Sequence, residues 1–277
     1  MILVRKLVLP SKNITTPNFQ ERLWGRYRYE EIGALQALLH PEERKIMAWM
    51  ADQVYSGEGE IVDAGAFLGG SAGCFAHGLG RNTRVIRKDG RIHSYDLFRK
   101  GSWLQSAIAP WNAKKSGQST LDVYHDQLNT MAHMLSVYPG DITKRTWDGR
   151  KIEFLMLDCS KTQGLNDHCM RMFLPNLIPG KSFLFHQDYA IDSALYWLHS
   201  TMYLLREHLE HVATVKFGGT TMFRCIKPIT PKIIEAVIAQ QNKNPDQILA
   251  GAIKQAELLG DEKIIKAIRA AHSCRPK

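Results

Sequence analysis

The stretch that decides the fold is Glu58-Gly59-Glu60-Ile61-Val62-Asp63-Ala64-Gly65-Ala66-Phe67-Leu68-Gly69-Gly70-Ser71-Ala72-Gly73. A short apolar run, Ile61 and Val62, ends at Asp63 and gives way to glycines. From Ser71 the pattern Ser-Ala-Gly-Cys-Phe-Ala-His-Gly-Leu reads as a helix. A strand, a tight turn and a helix N-terminus in this order bring bare backbone N–H groups towards a ligand. A dinucleotide fingerprint would need Gly-x-Gly-x-x-Gly here. Counted from Gly65 the third position is Phe67, so that reading fails. What stands is Asp63-x-Gly65-x-x-x-Gly69-x-Ser71.

Beyond this turn, strands and helices alternate, which implies a parallel sheet. The first strand covers about residues 60–64 and the second is Arg91 to Leu97, with Asp96 at its end. A short third strand, Ser136-Val137-Tyr138, precedes Pro139-Gly140-Asp141-Ile142. The fourth, Ile152 to Asp158, is nearly continuous in apolar residues, as a strand buried on both faces should be. A helix over Asn166 to Phe173 leads through Leu177-Ile178-Pro179-Gly180-Lys181 into a fifth strand, Ser182 to His186. After a helix over Ser193 to His208, His211 to Phe217, Gly218-Gly219 and Thr220 to Ile226 read as a hairpin whose glycines form the turn.

The two flanks read as helical. Residues 1–57 carry no strong strand, and His40-Pro41-Glu42-Glu43 has the proline and acids of a helix start. This lead-in is expected to pack on the core or cover a ligand; its first ten residues suit a first strand or a docking segment. Residues 229–277 show three helix starts, at Thr230-Pro231, Asn244-Pro245-Asp246 and Gly260-Asp261-Glu262. Their apolar residues recur at helical spacing, which fits core packing, a homodimer contact or a partner site. The expected division is 1–57, a core over 58–228, and 229–277.

With 44% hydrophobic and 23% charged residues the composition is that of a globular protein. No apolar run reaches the length of a membrane helix, and the first ten residues are too short and too charged for a secretion signal. A cytoplasmic protein without membrane contact is the expectation. Five scattered cysteines, with no Cys-x-x-Cys, exclude a disulfide framework and a structural zinc site. The net charge of +9 raises nucleic acid as a partner. The basic residues are dispersed among turns, however, so solvated loops are the plainer reading.

The Asp63-to-Ser71 pattern resembles the first motif of the class I S-adenosylmethionine-dependent methyltransferases. That resemblance implies an α/β, Rossmann-like sheet of five parallel strands plus a terminal antiparallel hairpin, which is the strand pattern read above. It implies S-adenosylmethionine as cofactor, held by Asp63, Gly65, Ala66, Phe67, Gly69 and Ser71. Asp96 stands where the family places an acid on the ribose hydroxyls, although Asp is also favoured as a helix cap. Gly140-Asp141 resembles the segment that runs along the adenine.

Asp158-Cys159-Ser160-Lys161 resembles the Asp-x-x-Lys of catechol-type O-methyltransferases, in which the Asp holds a divalent metal and the Lys takes the hydroxyl proton. Ile152 to Tyr189 is broadly similar to the macrocin-type small-molecule O-methyltransferases. Here Cys159 and Ser160 replace the family's Gly-Asp, and Gln187 replaces the first of two aspartates before Tyr189. Asp158, Gln187 and Asp188 are thus the metal candidates, for Mg2+, with two acidic ligands missing. Metal-free catalysis is the alternative, with Lys161, Asp158 and His186 as catalytic candidates and His186 as a general base near neutral pH. The Asn/Asp-Pro-Pro-Phe/Tyr of amino-methylating enzymes is absent after the fourth strand. The expected acceptor is therefore a hydroxyl on a small molecule or sugar, as in natural-product modification. An RNA methyltransferase and an inactive or hydroxylase-like relative that binds the cofactor are the alternatives.

Overall fold

The computed structural model describes residues 21–28, 30–99, 119–191 and 195–274. The first ten residues and Ser193, both named above, lie outside them.

Seven strands form one sheet: β1 (Glu60–Ala64), β2 (Ile92–Asp96), β3 (Leu135–Pro139), β4 (Ile152–Leu157), β5 (Phe183–His186), β6 (Leu209–Thr214) and β7 (Thr221–Cys225). Their spatial order is β3-β2-β1-β4-β5-β7-β6. Strands β1 to β5 run parallel, and β7 enters antiparallel between β5 and β6. The Rossmann-like sheet of the class I methyltransferases, expected from the sequence, is therefore the one observed. Strand order reverses beside β1, which puts the ends of β1, β2 and β4 around the crevice where open parallel sheets bind ligands.

Alternation along the buried strands builds two cores. Phe154, Met156, Phe183 and Phe185 face one side, against α3 (Pro41–Gln53) and α4 (Gly70–Arg81). Leu155, Leu157 and Leu184 face the other. There they meet α6 (Gln163–Phe173), α7 (Tyr196–Leu204), α8 (Pro231–Gln241), α9 (Pro245–Leu259) and α10 (Glu262–Cys274). Each such side chain is worth ~1.5–3 kcal/mol over leaving it in water. Of the three uses the apolar stripes of the C-terminal helices allowed, core packing is the one seen: Ile234, Val237, Ala252, Ile264 and Ile268 join the same cluster as the sheet.

The N-terminal flank holds two single turns, α1 (Glu21–Trp24) and α2 (Glu30–Gly33), before α3. The run between α2 and α3 is irregular. The buried guanidinium of Arg44 explains how its backbone is satisfied, since it donates to the carbonyls of Ile32, Gly33, Leu35, Ala37 and Leu39. A further helix, α5 (Thr120–Leu128), opens with a capping box between Ser119 and Asp122.

The hairpin closes differently from the sequence reading. Neither Gly218 nor Gly219 takes a left-handed conformation; Phe217 does, at φ 63°. A Cβ on Gly218 would run into the Glu43 carboxyl group. That glycine makes room for a carboxylate from α3. The Glu43 carboxylate accepts from the N–H groups of Gly219 and Thr220, at 2.7 and 2.8 Å, and from His40 N–H at 2.7 Å. The Lys263 ammonium of α10 donates to the Gly218 carbonyl. Both flanks thus clamp one turn of the sheet.

Candidate site at the carboxyl ends of the strands

The turn after β1 is shaped by packing as much as by any ligand. Gly65 sits at φ 102°, and a Cβ there would lie 2.8 Å from the Asp158 carbonyl carbon and 2.9 Å from Cys159 N. The glycine lets the end of β4 settle against the end of β1, where Asp158 N–H donates to the Ala64 carbonyl at 2.8 Å. Gly65 and Ala66 N–H both donate to the Tyr95 carbonyl, and Gly69 N–H to Ala66. Gly69, left-handed at φ 92°, caps α4.

Asp63 and Ser71 lie beneath this turn. Asp63 is fully buried, and the Ser71 hydroxyl lies 2.9 and 2.8 Å from its two oxygens. Burial pushes the Asp63 carboxyl up to about 7, with the Asp158 and Asp96 carboxylates adding to the rise against the Ser71 bond. Both residues therefore hold the first turn of α4 in place.

Asp96 stands across the turn and joins two loops. Its Oδ2 accepts from Phe67 N–H at 3.0 Å and its Oδ1 from Phe98 N–H at 2.7 Å. Phe67 and Phe98 are both left-handed, at φ 49° and 48°, a conformation that costs a bulky residue and concentrates at ligand sites. Each Asp96 oxygen keeps lone-pair capacity beyond its one backbone partner. Asp141 instead spends its carboxylate on a cap: Oδ1 accepts from the N–H and hydroxyl of Thr143, at 3.0 and 2.7 Å. Its neighbour Gly140 donates to the Asp96 carbonyl, which ties the ends of β2 and β3.

The second half of the site comes from adjacent strands, since Leu157 pairs with His186 across β4 and β5. Asp158 follows β4 and Asp188 follows β5, and the Lys161 ammonium lies between their carboxylates, 2.7 Å from Asp158 Oδ1 and bonded also to Asp188 Oδ2. Asp188 is left-handed at φ 61°. Burial opposes the charge on Lys161, but the two carboxylates outweigh it and hold the ammonium above the usual lysine range. Burial lifts the Asp158 carboxyl to about 7 even against the pull of Lys161. Side-chain exposures of 50% for Lys161, 29% for Asp158 and 19% for Asp188 leave the trio open to a ligand.

The other two candidates turn elsewhere. The Gln187 side chain is joined to Glu43 through the Thr220 hydroxyl. His186 is fully buried, its ring against Tyr189, and its Nε2 has no hydrogen-bond partner among the described residues. Burial lowers its pKa to about 4, so the imidazole stays neutral inside the core.

The residues present fit a cationic, hydroxyl-bearing cofactor better than a divalent metal. The Asp158 and Asp96 carboxylates lie near enough to raise the proton affinity of Asp63, in a chain whose net charge is +9. Asp96 retains acceptor capacity. A divalent ion would meet the Lys161 ammonium already lying between Asp158 and Asp188. Among the described residues no three His, Cys, Asp or Glu side chains converge as metal ligands would. The sequence marked Glu43 only as a first-turn acid and carried no signal for its bonds to the hairpin, 176 residues away.

No family model and no curated protein matches the chain. Similar solved structures include CalS11, a TDP-rhamnose 3'-O-methyltransferase of calicheamicin biosynthesis, at 15% identity and TM-score 0.49, over 66% of this chain and 78% of that one. The CcbJ methyltransferase from Streptomyces caelestis overlaps at 12% identity and TM-score 0.37, over 80% of this chain and 87% of that one. The pyocyanin biosynthetic protein PhzM does so at 12% identity and TM-score 0.41, over 74% of this chain and 63% of that one. Among the described residues no helix is long and apolar enough to cross a membrane.

Proposed function

We propose that this chain is an S-adenosylmethionine-dependent methyltransferase whose acceptor is a hydroxyl of a small molecule or sugar. The observation that carries the reading is the meeting of four strand-end aspartates, Asp63, Asp96, Asp158 and Asp188, around the Gly65 turn, with one ammonium among them. When bound, the cofactor supplies an activated methyl group for a single in-line displacement. The Gly65–Gly69 turn and Asp96 position it, Asp96 by accepting from the ribose hydroxyls; Asp63 and Ser71 act beneath the turn, and Gly140-Asp141 borders the site.

The acceptor side falls to Asp158 and Lys161. A hydroxyl is a poor nucleophile until its proton leaves. Asp158, with a carboxyl lifted to about 7, is matched to accept that proton near neutrality. Lys161 stays charged and stabilises the oxyanion that forms beside it. Burial makes His186 a weak base, and its ring faces the core.

Calorimetry with S-adenosylmethionine and with its demethylated product tests the reading. Both should bind the wild-type chain, and Asp96→Asn should weaken binding about tenfold or more, the loss of one or two charge-assisted bonds. If neither ligand binds, the proposal fails.

A further inference from the structure

We infer that the Asp158–Asp188 pair is a cation cradle whose resident cation is the chain's own Lys161 ammonium, and that removing this side chain opens a site for a divalent ion. Its meaning for catalysis rests on the methyl-transfer reading; the cation site itself does not. Three observations support it. The two carboxylates come from adjacent parallel strands and converge on one point, the Lys161 nitrogen.

The cradle is held by contacts that do not involve the lysine side chain. Asp158 N–H donates to the Ala64 carbonyl at 2.8 Å, and Ile191 N–H to the Asp188 carbonyl at 3.2 Å. Trp197 Nε1 donates to the Ser160 carbonyl at 2.8 Å, which fixes the loop between Asp158 and Lys161 to α7. The carboxylates should therefore stay in place when Lys161 is shortened. Lastly, the left-handed backbone at Asp188, φ 61°, sits in a loop tied to the hairpin by Ala190 N–H donating to the Gly219 carbonyl at 3.2 Å, a bond that does not involve the ammonium.

Chemistry completes the argument. Two carboxylates facing one point repel each other unless a positive charge lies between them. A lysine ammonium is a compact point charge with three donors and can take that place. Mg2+ and Mn2+ are commonly held by one or two carboxylates with water completing the shell, so the emptied cradle offers a sufficient donor set. With the ammonium present, a second cation would meet both a filled space and a like charge. The cradle thus trades a dissociable metal for a covalently tethered cation, and activity becomes independent of metal supply.

Mn2+ titrated into the protein, read by loss of the free-ion paramagnetic resonance signal, tests this without cofactor or acceptor. Wild type should take up no Mn2+ in the millimolar range. Lys161→Ala should bind one ion at least tenfold more tightly than wild type, and Lys161→Ala with Asp188→Asn should lose that gain. Lys161→Ser serves as a second vacating variant if the alanine chain does not fold. Mn2+ uptake by wild type that Asp188→Asn abolishes would overturn the inference, as would no gain in either vacating variant. Because no arm uses S-adenosylmethionine, failure here leaves the methyl-transfer reading standing, and failure of cofactor binding leaves the cation result intact.

Discussion

The two halves of the site are built on opposite terms. Around β1 and α4 the polar groups are buried and satisfied by one another: Asp63 by Ser71, the turn amides by Tyr95 and Ala66. Around β4 and β5 the charged groups are partly exposed and meet through side chains, Lys161 between Asp158 and Asp188. The first half behaves as scaffold, where each atom's place is set by its neighbours' volume. The second behaves as a reactive edge, where charge is exposed and its arrangement can change. Changes in the first half should register in folding, and changes in the second in chemistry.

The largest effect is expected at Gly65. A side chain there must adopt φ 102° and push its Cβ to 2.8 Å from the Asp158 carbonyl carbon. Left-handed strain and a backbone clash together should lower stability by about 3 kcal/mol or more. The Gly65→Ala midpoint in urea measures this. An unchanged midpoint would mean that the ends of β1 and β4 do not press together.

An effect of comparable size, read from its pH dependence, belongs to Asp63. Its folded pKa of about 7 lies above the ordinary aspartate value of 3.8, so between these values the folded state holds the proton that the unfolded state has lost. Stability from this group is whole below about pH 4, falls as pH rises towards 7, and is level above. The span is on the order of 4 kcal/mol. Asp63→Asn should flatten that part of the stability-against-pH curve. If the slope between pH 4 and 7 is the same in both proteins, Asp63 is not the buried acid described above.

The same contrast explains what could be read from the chain. The β1 turn, β4 and the C-terminal helix starts were legible because their signals are local: a glycine after an apolar run, a continuous apolar strand, a proline after a capping residue. The fold followed from them. The pairing of Lys161 with Asp188 was not legible, because it joins residues 27 apart through the register of two strands. Lys161 reads as a proton acceptor from its motif, yet the second carboxylate keeps it charged. Gly218-Gly219 reads as a hairpin turn because glycines favour turns, whereas the volume of Glu43, from a helix far earlier in the chain, is what requires the first of them. His186 reads as a base at a strand end, but strand alternation turns its ring towards Tyr189 and the core.

The smallest stability effect should come from Asp188→Asn, and it is the sharpest test of the contrast. Asn tolerates the left-handed backbone at least as well as Asp, so the substitution removes charge while sparing the loop. Lys161 is half-exposed, and a pair so open to solvent is worth ~1 kcal/mol or less. The unfolding midpoint should therefore move little. Turnover on the true acceptor should fall, because the ammonium loses one of the two carboxylates that fix its place beside Asp158. A loss of stability comparable to that of Gly65→Ala would make the β4–β5 edge scaffold as well, and the division between the two halves would not hold.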